Sequence, residues 1–348
     1  MLDLPYRLGL TAPVIQAPMA GVQDHRLAAA VSDAGALGSL PAAMLDPEGL
    51  ERELRAYHEL SSGPLNVNFF SHTPTEPDLA REAAWRAALQ PYYEEFGVTA
   101  EPSSGSGRRP FDGAAADVLE AFRPAVVSFH FGLPAPELLA RVKSWGSLVF
   151  SSATTVDEAA WLEARGVDAV IAQGLEAGGH RGMFLDRDVT TQVGTFALLP
   201  QIARTVGVPV LAAGGIVDAR GLTAAKALGA KGVQIGTALL CTNEATTNSV
   251  YRAALLSPSA RHTALTNVFS GRPARGIVNR AIRELGPLSD VVPAFPLATS
   301  ALGPLRAAAE ALGRNDFTPL WCGQNAEGLR RASAAEVIRD FLEAWHEG

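Results

Sequence analysis

Residues 209–240 read PVLAAGGIVDARGLTAAKALGAKGVQIGTALL. The apolar run PVLAAGG (209–215) leads into DARGLTAAKALGA (218–230), which opens on Asp218, a helix N-cap, and stops near a glycine. A second apolar run, GVQIGTALL (232–240), follows at once. The order is strand, helix, strand, and each strand has the composition of one buried on both faces, as in a parallel sheet.

The same plan extends outward. Six further runs precede these two: VIQAPM (14–19), ALGSL (36–40), LNVNFF (65–70), AVVSFHF (125–131), SLVFSS (147–152) and AVIAQG (169–174). Helix-like stretches lie between them. DHRLAAAVSDAG (24–35) begins with Asp and ends at Gly35. TTVDEAAWLEARG (154–166) has acids in its first turn, Arg165 in its last, and Gly166 as its stop. Eight such repeats predict an α/β fold, a (β/α)8 TIM barrel, with an open doubly wound sheet as the competitor. Eight strands close naturally, which favours the barrel.

Two segments fall outside the alternation. Residues 98–113 (VTAEPSSGSGRRPFDG) are rich in Gly, Ser and Pro and read as a loop between the third and fourth strands. Residues 243–320 follow the eighth strand, with helical pieces at 245–256 and 302–312 and the loop-like SGRPARG (270–276). They predict a smaller, mostly helical cap over the barrel mouth. The chain closes with SAAEVIRDFLEAWHE (333–347), a capped amphipathic helix. The expected domains are a barrel over 1–242, completed by 321–348, and a cap or substrate domain over 243–320.

Composition narrows the function classes. Of 348 residues, 47% are hydrophobic and 19% charged, enough to bury a large core. The net charge is −7 and no basic block stands out, which argues against nucleic acid and anionic membranes as partners. The two cysteines, Cys241 and Cys322, suggest no disulfide framework. MLDLPYRLGL at the N-terminus lacks the pattern of a signal peptide, and no apolar run approaches the roughly 20 residues of a membrane span. A cytoplasmic location is expected. The N-terminal arm and the cap each offer a surface for a homodimer.

In such a barrel the active groups come from the C-terminal ends of the strands. Gly214 and Gly215 end the seventh run, and Gly236 and Thr237 lie in the eighth; glycines here let a phosphate approach free backbone N–H groups. The bland alternative is that they only make tight turns. His180 follows the sixth run in AQGLEAGGHRG (172–182) and is either a base or hydrogen-bond donor beside a reacting atom, or a loop histidine that only packs. Glu176 is either its orienting partner or a solvated acid. His130, ending the fourth run, carries the same two readings. Asn68 and Gln173 are polar ends of apolar strands and need partners, from a ligand edge or from neighbouring backbone. The seven histidines make no metal-ligand spacing, and no metal is expected.

In combination, QAPMAG (16–21), NVNFF (66–70), QGLEAGGHRG (173–182), LAAGGI (211–216) and QIGTAL (234–239) resemble the nitronate monooxygenases, formerly called 2-nitropropane dioxygenases. FSGRPARGIVNR (269–280) and PLWCGQ (319–324) resemble the C-terminal signatures of the class I members. The resemblance spans nearly the whole chain. It implies an FMN-containing TIM barrel that oxidises alkyl nitronates, such as propionate 3-nitronate, with O2 to a carbonyl compound and nitrite. It implies that Asn68, Gln173, Gly178, Gly179, Gly214, Gly215 and Gln234, Ile235, Gly236 and Thr237 hold FMN, with Met19 near the flavin and His180 catalytic. His130 and Phe295 are candidates for the substrate pocket. Some class I relatives line that pocket with tyrosines, and neither VPAFPL around Phe295 nor RRPFD (108–112) offers one.

EAGGH is also similar to sequences in flavin-dependent enoyl and quinone reductases. The alternative is therefore an FMN-dependent NAD(P)H oxidoreductase acting on a quinone or enoyl thioester. A flavin- or phosphate-binding barrel without turnover is the non-enzyme reading.

Overall fold

All eight apolar runs form strands in a computed structural model that describes residues 3–99 and 108–347. In chain order the strands are β1 (Val14–Gln16), β2 (Gly38–Pro41), β3 (Leu65–Phe70), β4 (Val126–His130), β5 (Leu148–Ala153), β6 (Ala169–Gln173), β7 (Gly179–His180), β8 (Val210–Ala213), β9 (Gly232–Ile235), β10 (Thr263–Thr266) and β11 (Ala274–Ile277). Every strand except β7, β10 and β11 belongs to one parallel sheet ordered β1-β9-β8-β6-β5-β4-β3-β2. Its ends join. The Gln16 N–H donates to the Leu37 carbonyl and the Leu37 N–H to the Val14 carbonyl, both at 2.9 Å. The sheet is thus a closed (β/α)8 barrel, not the open competitor.

The helices start where the sequence marks them. Asp24, Thr155 and Asp218 each accept a backbone N–H at the start of His25–Asp33, Val156–Glu163 and Ala219–Ala227. Each such cap contributes about 1 kcal/mol. Inside the barrel, Ile15, Leu37, Val126, Leu148 and Leu211 pack with Leu4 and Leu10 at the N-terminal ends of the strands. That end is sealed with apolar side chains, so the C-terminal end carries the polar ones.

The segment after β9 contains the helices Ser249–Leu255, Arg280–Leu285 and Thr299–Ala311, as expected of a mostly helical cap. It also contains strands. SGRPARG, loop-like in sequence, is half strand, because β11 pairs antiparallel with both β10 and β7. The cap thereby reaches into the GGH segment and places Ala274 opposite His180. The helix Leu79–Phe96 was not singled out by the alternation. Its Trp85, Leu89 and Tyr93 share an apolar cluster with Phe269, Leu305 and Phe317. Of the expected loop at 98–113, residues 100–107 lie outside the described residues. Among the described residues, no helix is long and apolar enough to cross a membrane.

The last helix, Ala334–Glu347, covers the seam between β1 and β9 by packing on His25–Asp33 and Ala219–Ala227. Ser333 and Glu336 form a capping box, the Ser333 N–H donating to the Glu336 carboxylate (2.8 Å) and the Glu336 N–H to Ser333 Oγ (3.2 Å). Phe341 anchors the helix at 1% exposure. Phe341→Ala is expected to lower the unfolding free energy by about 3–5 kcal/mol, seen as a lower urea midpoint. A midpoint equal to wild type would mean that this helix does not hold the barrel closed.

Candidate active site

A cleft opens at the C-terminal ends of the barrel strands, between the barrel and the cap. Its empty space, about 1370 Å³, includes the open mouth. Met19, Asn68, His130, Gln173, Gly178, Gly179, His180, Gly214, Gly215, Gln234, Gly236 and Thr237 all line it. Two other candidates lie elsewhere. The Ile235 side chain is fully buried in the core between sheet and helices. Phe295 lines a neighbouring cavity, with its ring against the His180 imidazole at 5.5 Å.

The wall is bare where the glycines stand. Gly179, Gly214 and Gly215 have φ of 74°, 117° and 75°, which side chains disfavour. A Cβ on Gly178 would lie 2.7 Å from the backbone of Cys322 and Gly323, so the C-terminal PLWCGQ segment packs directly on this loop. Gly323 N–H donates to Thr237 Oγ1 (3.0 Å), and Asn325 Nδ2 donates to the Gly215 carbonyl (3.1 Å). The C-terminal signature therefore braces both the histidine loop and the glycines after β8 and β9.

His180 is held on three sides. Its Nε2 is 2.8 Å from Ser270 Oγ, and its backbone carbonyl accepts from Gln173 Nε2 (2.9 Å) and His130 Nε2 (3.1 Å). Nδ1 makes no hydrogen bond among the described residues. The rings of Phe70, Phe131, Phe295 and Trp321 surround the imidazole at 5.5–6.0 Å. Burial among these rings pushes the His180 pKa well below the ordinary value of 6.5, and the charges of Arg108 and Arg272 act in the same direction. Burial likewise lowers His130 to about 3 and His72 to about 4. All three imidazoles are neutral at neutral pH. His130 donates from Nε2, so its Nδ1 accepts from Ser152 Oγ (3.0 Å).

The polar strand ends find different partners. Asn68 Nδ2 donates to Ser128 Oγ (2.9 Å). Gln173 spends its amide on the histidine loop, its Oε1 accepting the Gly182 N–H at 2.7 Å. Gln234 Oε1 is buried, with no partner among the described residues. Glu176 is not the orienting partner of His180: its half-buried carboxylate accepts from the N–H and Oγ1 of Thr195 (2.7 and 2.8 Å).

Sequence reasoning passed over four residues. Arg181 has no exposed surface, and it donates to the carbonyls of Gln173 and Gly174 (both 2.7 Å) and to Gln192 Oε1 (2.9 Å). Glu158, an apparent first-turn surface acid, is 1% exposed and accepts from Thr154 and from the Phe184 N–H (2.6 Å). Arg108 lines the cleft and donates to Thr299 Oγ1 (2.6 Å). Ser270, from the SGRPARG segment, holds the imidazole. The adjacency of Arg181 to His180 was a readable signal. The burial of Glu158 had none.

A neutral imidazole with a free nitrogen, an arginine beside it and no carboxylate on the described cleft wall can take a proton or bind an anion. The orphaned Gln234 oxygen wants an N–H from a ligand, and the bare glycines admit a flat one. The family model described as nitronate monooxygenase matches residues 6–344. A nitronate monooxygenase of Pseudomonas aeruginosa is 43% identical over 339 residues, covering 97% of each chain. One of Paraburkholderia phytofirmans is 42% identical over 335 residues, covering 95% of this chain and 91% of the relative. The crystal structure of a nitroalkane oxidase from Streptomyces ansochromogenes superposes with a TM-score of 0.90 at 37% identity, covering 99% of both chains. With the motifs, barrel and cleft in agreement, the chain belongs to the nitronate monooxygenase family.

Proposed function

We infer that the cleft binds FMN and an alkyl nitronate side by side, and that His180 serves the nitronate. The enzyme is a flavin-dependent oxidoreductase that oxidises nitronates with O2 to a carbonyl compound and nitrite. The observation that carries the site assignment is the neutral His180 imidazole, pinned through Nε2 and its own carbonyl so that Nδ1 stays available.

The residues present fit the cofactor. Gly214, Gly215, Gly236 and Thr237 would hold its phosphate at the loops after β8 and β9. Asn68, Gln173 and Gln234 would meet the edge of the ring, Gln234 Oε1 as an acceptor for a ring N–H. Met19, Gly178 and Gly179 would flank it, and Ile235 would contribute backbone only. FMN, when bound, supplies the electron-transfer chemistry that no side chain here can perform. The protein's own part is to orient the substrate, keep water from it, and manage one proton.

That part depends on the substrate's charge. A nitronate is already an anion, so His180 needs only to hold it, with Arg108 adding positive potential. A neutral nitroalkane has an α-proton, and neutral His180 would take it. His180→Asn is therefore expected to retain most nitronate turnover while losing nitroalkane turnover by about 100-fold or more, measured as O2 uptake. Equal effects on both substrates would remove the base role.

Because burial lowers the His180 pKa, its basic form persists below the usual imidazole range. The nitroalkane kcat/KM should stay level as pH falls from about 8 to about 6.5 and decline only below that. A decline centred on an ordinary imidazole pKa would mean that His180 is not the base.

The reductase alternative is separated anaerobically. Mixing the yellow protein with an alkyl nitronate is expected to change the visible flavin band rapidly, while NADH and NADPH leave it unchanged. Bleaching by a nicotinamide, with no response to nitronate, would overturn the assignment.

A further inference from the structure

Behind Phe295 lies a second cavity, outside the cleft that His180 lines. The Phe295 ring is 5.5 Å from the His180 ring and 4.9 Å from the His72 ring, and the Phe131 ring is 6.0 and 6.3 Å from the same two. Aromatic rings thus lie close to both spaces. The second cavity is lined by Ser71, His72, Phe131, Arg187, Arg272 and Phe295, among others, and by no carboxylate among the described residues.

Its polar groups lack partners. His72 is 6% exposed, and neither its Nδ1 nor the buried Ser71 Oγ has a hydrogen-bond partner among the described residues. Buried polar atoms are ordinarily satisfied, and orphaned ones at a cavity wall point to a ligand. Two cations set the sign of that ligand. Arg272 lies flat on Phe131, 3.8 Å from the ring centroid, and donates to the Met183 carbonyl; Arg187 stands exposed at the rim. Guanidinium groups match planar groups that present two oxygens.

We propose that this cavity binds a small planar oxyanion, a carboxylate or nitrite, which accepts hydrogen bonds from His72 and Ser71 and faces the guanidinium groups of Arg187 and Arg272. The site is distinct from the catalytic cleft, but both sources of its anion rest on the reaction proposed there. Its anion has two sources. One is the carboxylate at the far end of an acid whose other end is the nitronate, reaching past Phe295. The other is nitrite released by turnover.

The test is calorimetric titration of the FMN-loaded protein at neutral pH and fixed ionic strength, with sodium propionate and with sodium nitrite. Wild type is expected to bind at least one of them saturably. Arg187→Ser and His72→Leu should each weaken that binding about ten-fold. Arg187 is exposed, so its variant keeps the test valid even if His72→Leu fails to fold. Tighter binding of propionate, competing with a carboxylated nitronate but not with a simple alkyl nitronate, assigns the cavity to the substrate tail. Tighter binding of nitrite assigns it to the product. The absence of saturable binding overturns the proposal. So does binding that shifts the flavin spectrum and is unaffected by Arg187→Ser, because the anion would then sit in the main cleft.

Discussion

A guanidinium with no exposed surface organises this site. Arg181 donates to two consecutive carbonyls, Gln173 and Gly174, at the point where β6 ends. The Gly174 carbonyl also accepts the Ala177 N–H (3.0 Å), so without Arg181 the Gln173 carbonyl would lose its side-chain donor and the Gly174 carbonyl one of two. Gln192, the third acceptor, passes the network on, its Nε2 donating to Thr154 Oγ1 (3.0 Å), which donates in turn to Glu158 (2.7 Å). Glu158 then receives the Phe184 N–H at the far side of the histidine loop. The loop from Gln173 to Phe184 is thus fastened at both ends to one buried charge network. Leaving any of these groups unpaired costs about 1–3 kcal/mol, so the network has to form as a unit.

That constraint explains how a glycine-rich loop can hold the His180 imidazole still. Glycines carry the largest backbone entropy to lose on folding. AGGHRG would be a poor platform alone. Anchoring lets Gly178 and Gly179 stay bare for a ligand while β11 pairs with the loop from the cap and PLWCGQ packs on its other side. Barrel, cap and C-terminal segment meet at three consecutive residues. His130 contributes to this positioning, since its Nε2 is spent on the His180 carbonyl.

The barrel was legible because its signal is local. Each barrel strand reads as an apolar run and several helices begin at a side-chain cap, so Asp24, Thr155 and Asp218 mark boundaries with no tertiary information. Most of the cleft followed from the rule that chemistry gathers at strand C-termini. What stayed illegible was set by partners distant in sequence. Ser270 reaches His180 across 90 residues, and Arg108 reaches Thr299 across 191. Glu158 has the sequence context of any first-turn acid, and only folding shows that it faces inward. Leu79–Phe96 escaped notice because it buries Trp85, Leu89 and Tyr93 against the cap and has little apolar periodicity over its full length. SGRPARG reads as a loop because its strand character depends on pairing with β10 and β7, which the segment itself does not show.

The electrostatics suit a site that must accept two protonation states of one substrate. Around His180 the described residues place arginines, neutral histidines and aromatic rings, with Glu176 turned toward Thr195. Such a wall is rich in positive charge, which the buried Glu158 carboxylate offsets in part at Arg272, and it favours a ligand that brings its own negative charge. The arginines that attract the anion also, together with burial, keep the imidazole unprotonated in its absence, because a third cation beside Arg108 and Arg272 is unfavourable. When a nitronate arrives, its charge offsets that penalty and favours a protonated or hydrogen-bonding imidazole. When a neutral nitroalkane arrives, His180 in the role proposed for it is still a base, and taking the α-proton would create an ion pair of nitronate and imidazolium in a setting that stabilises both. Both routes converge on one arrangement, an anion between a protonated His180 and the arginines, and what differs is whether the proton came from solvent or from substrate.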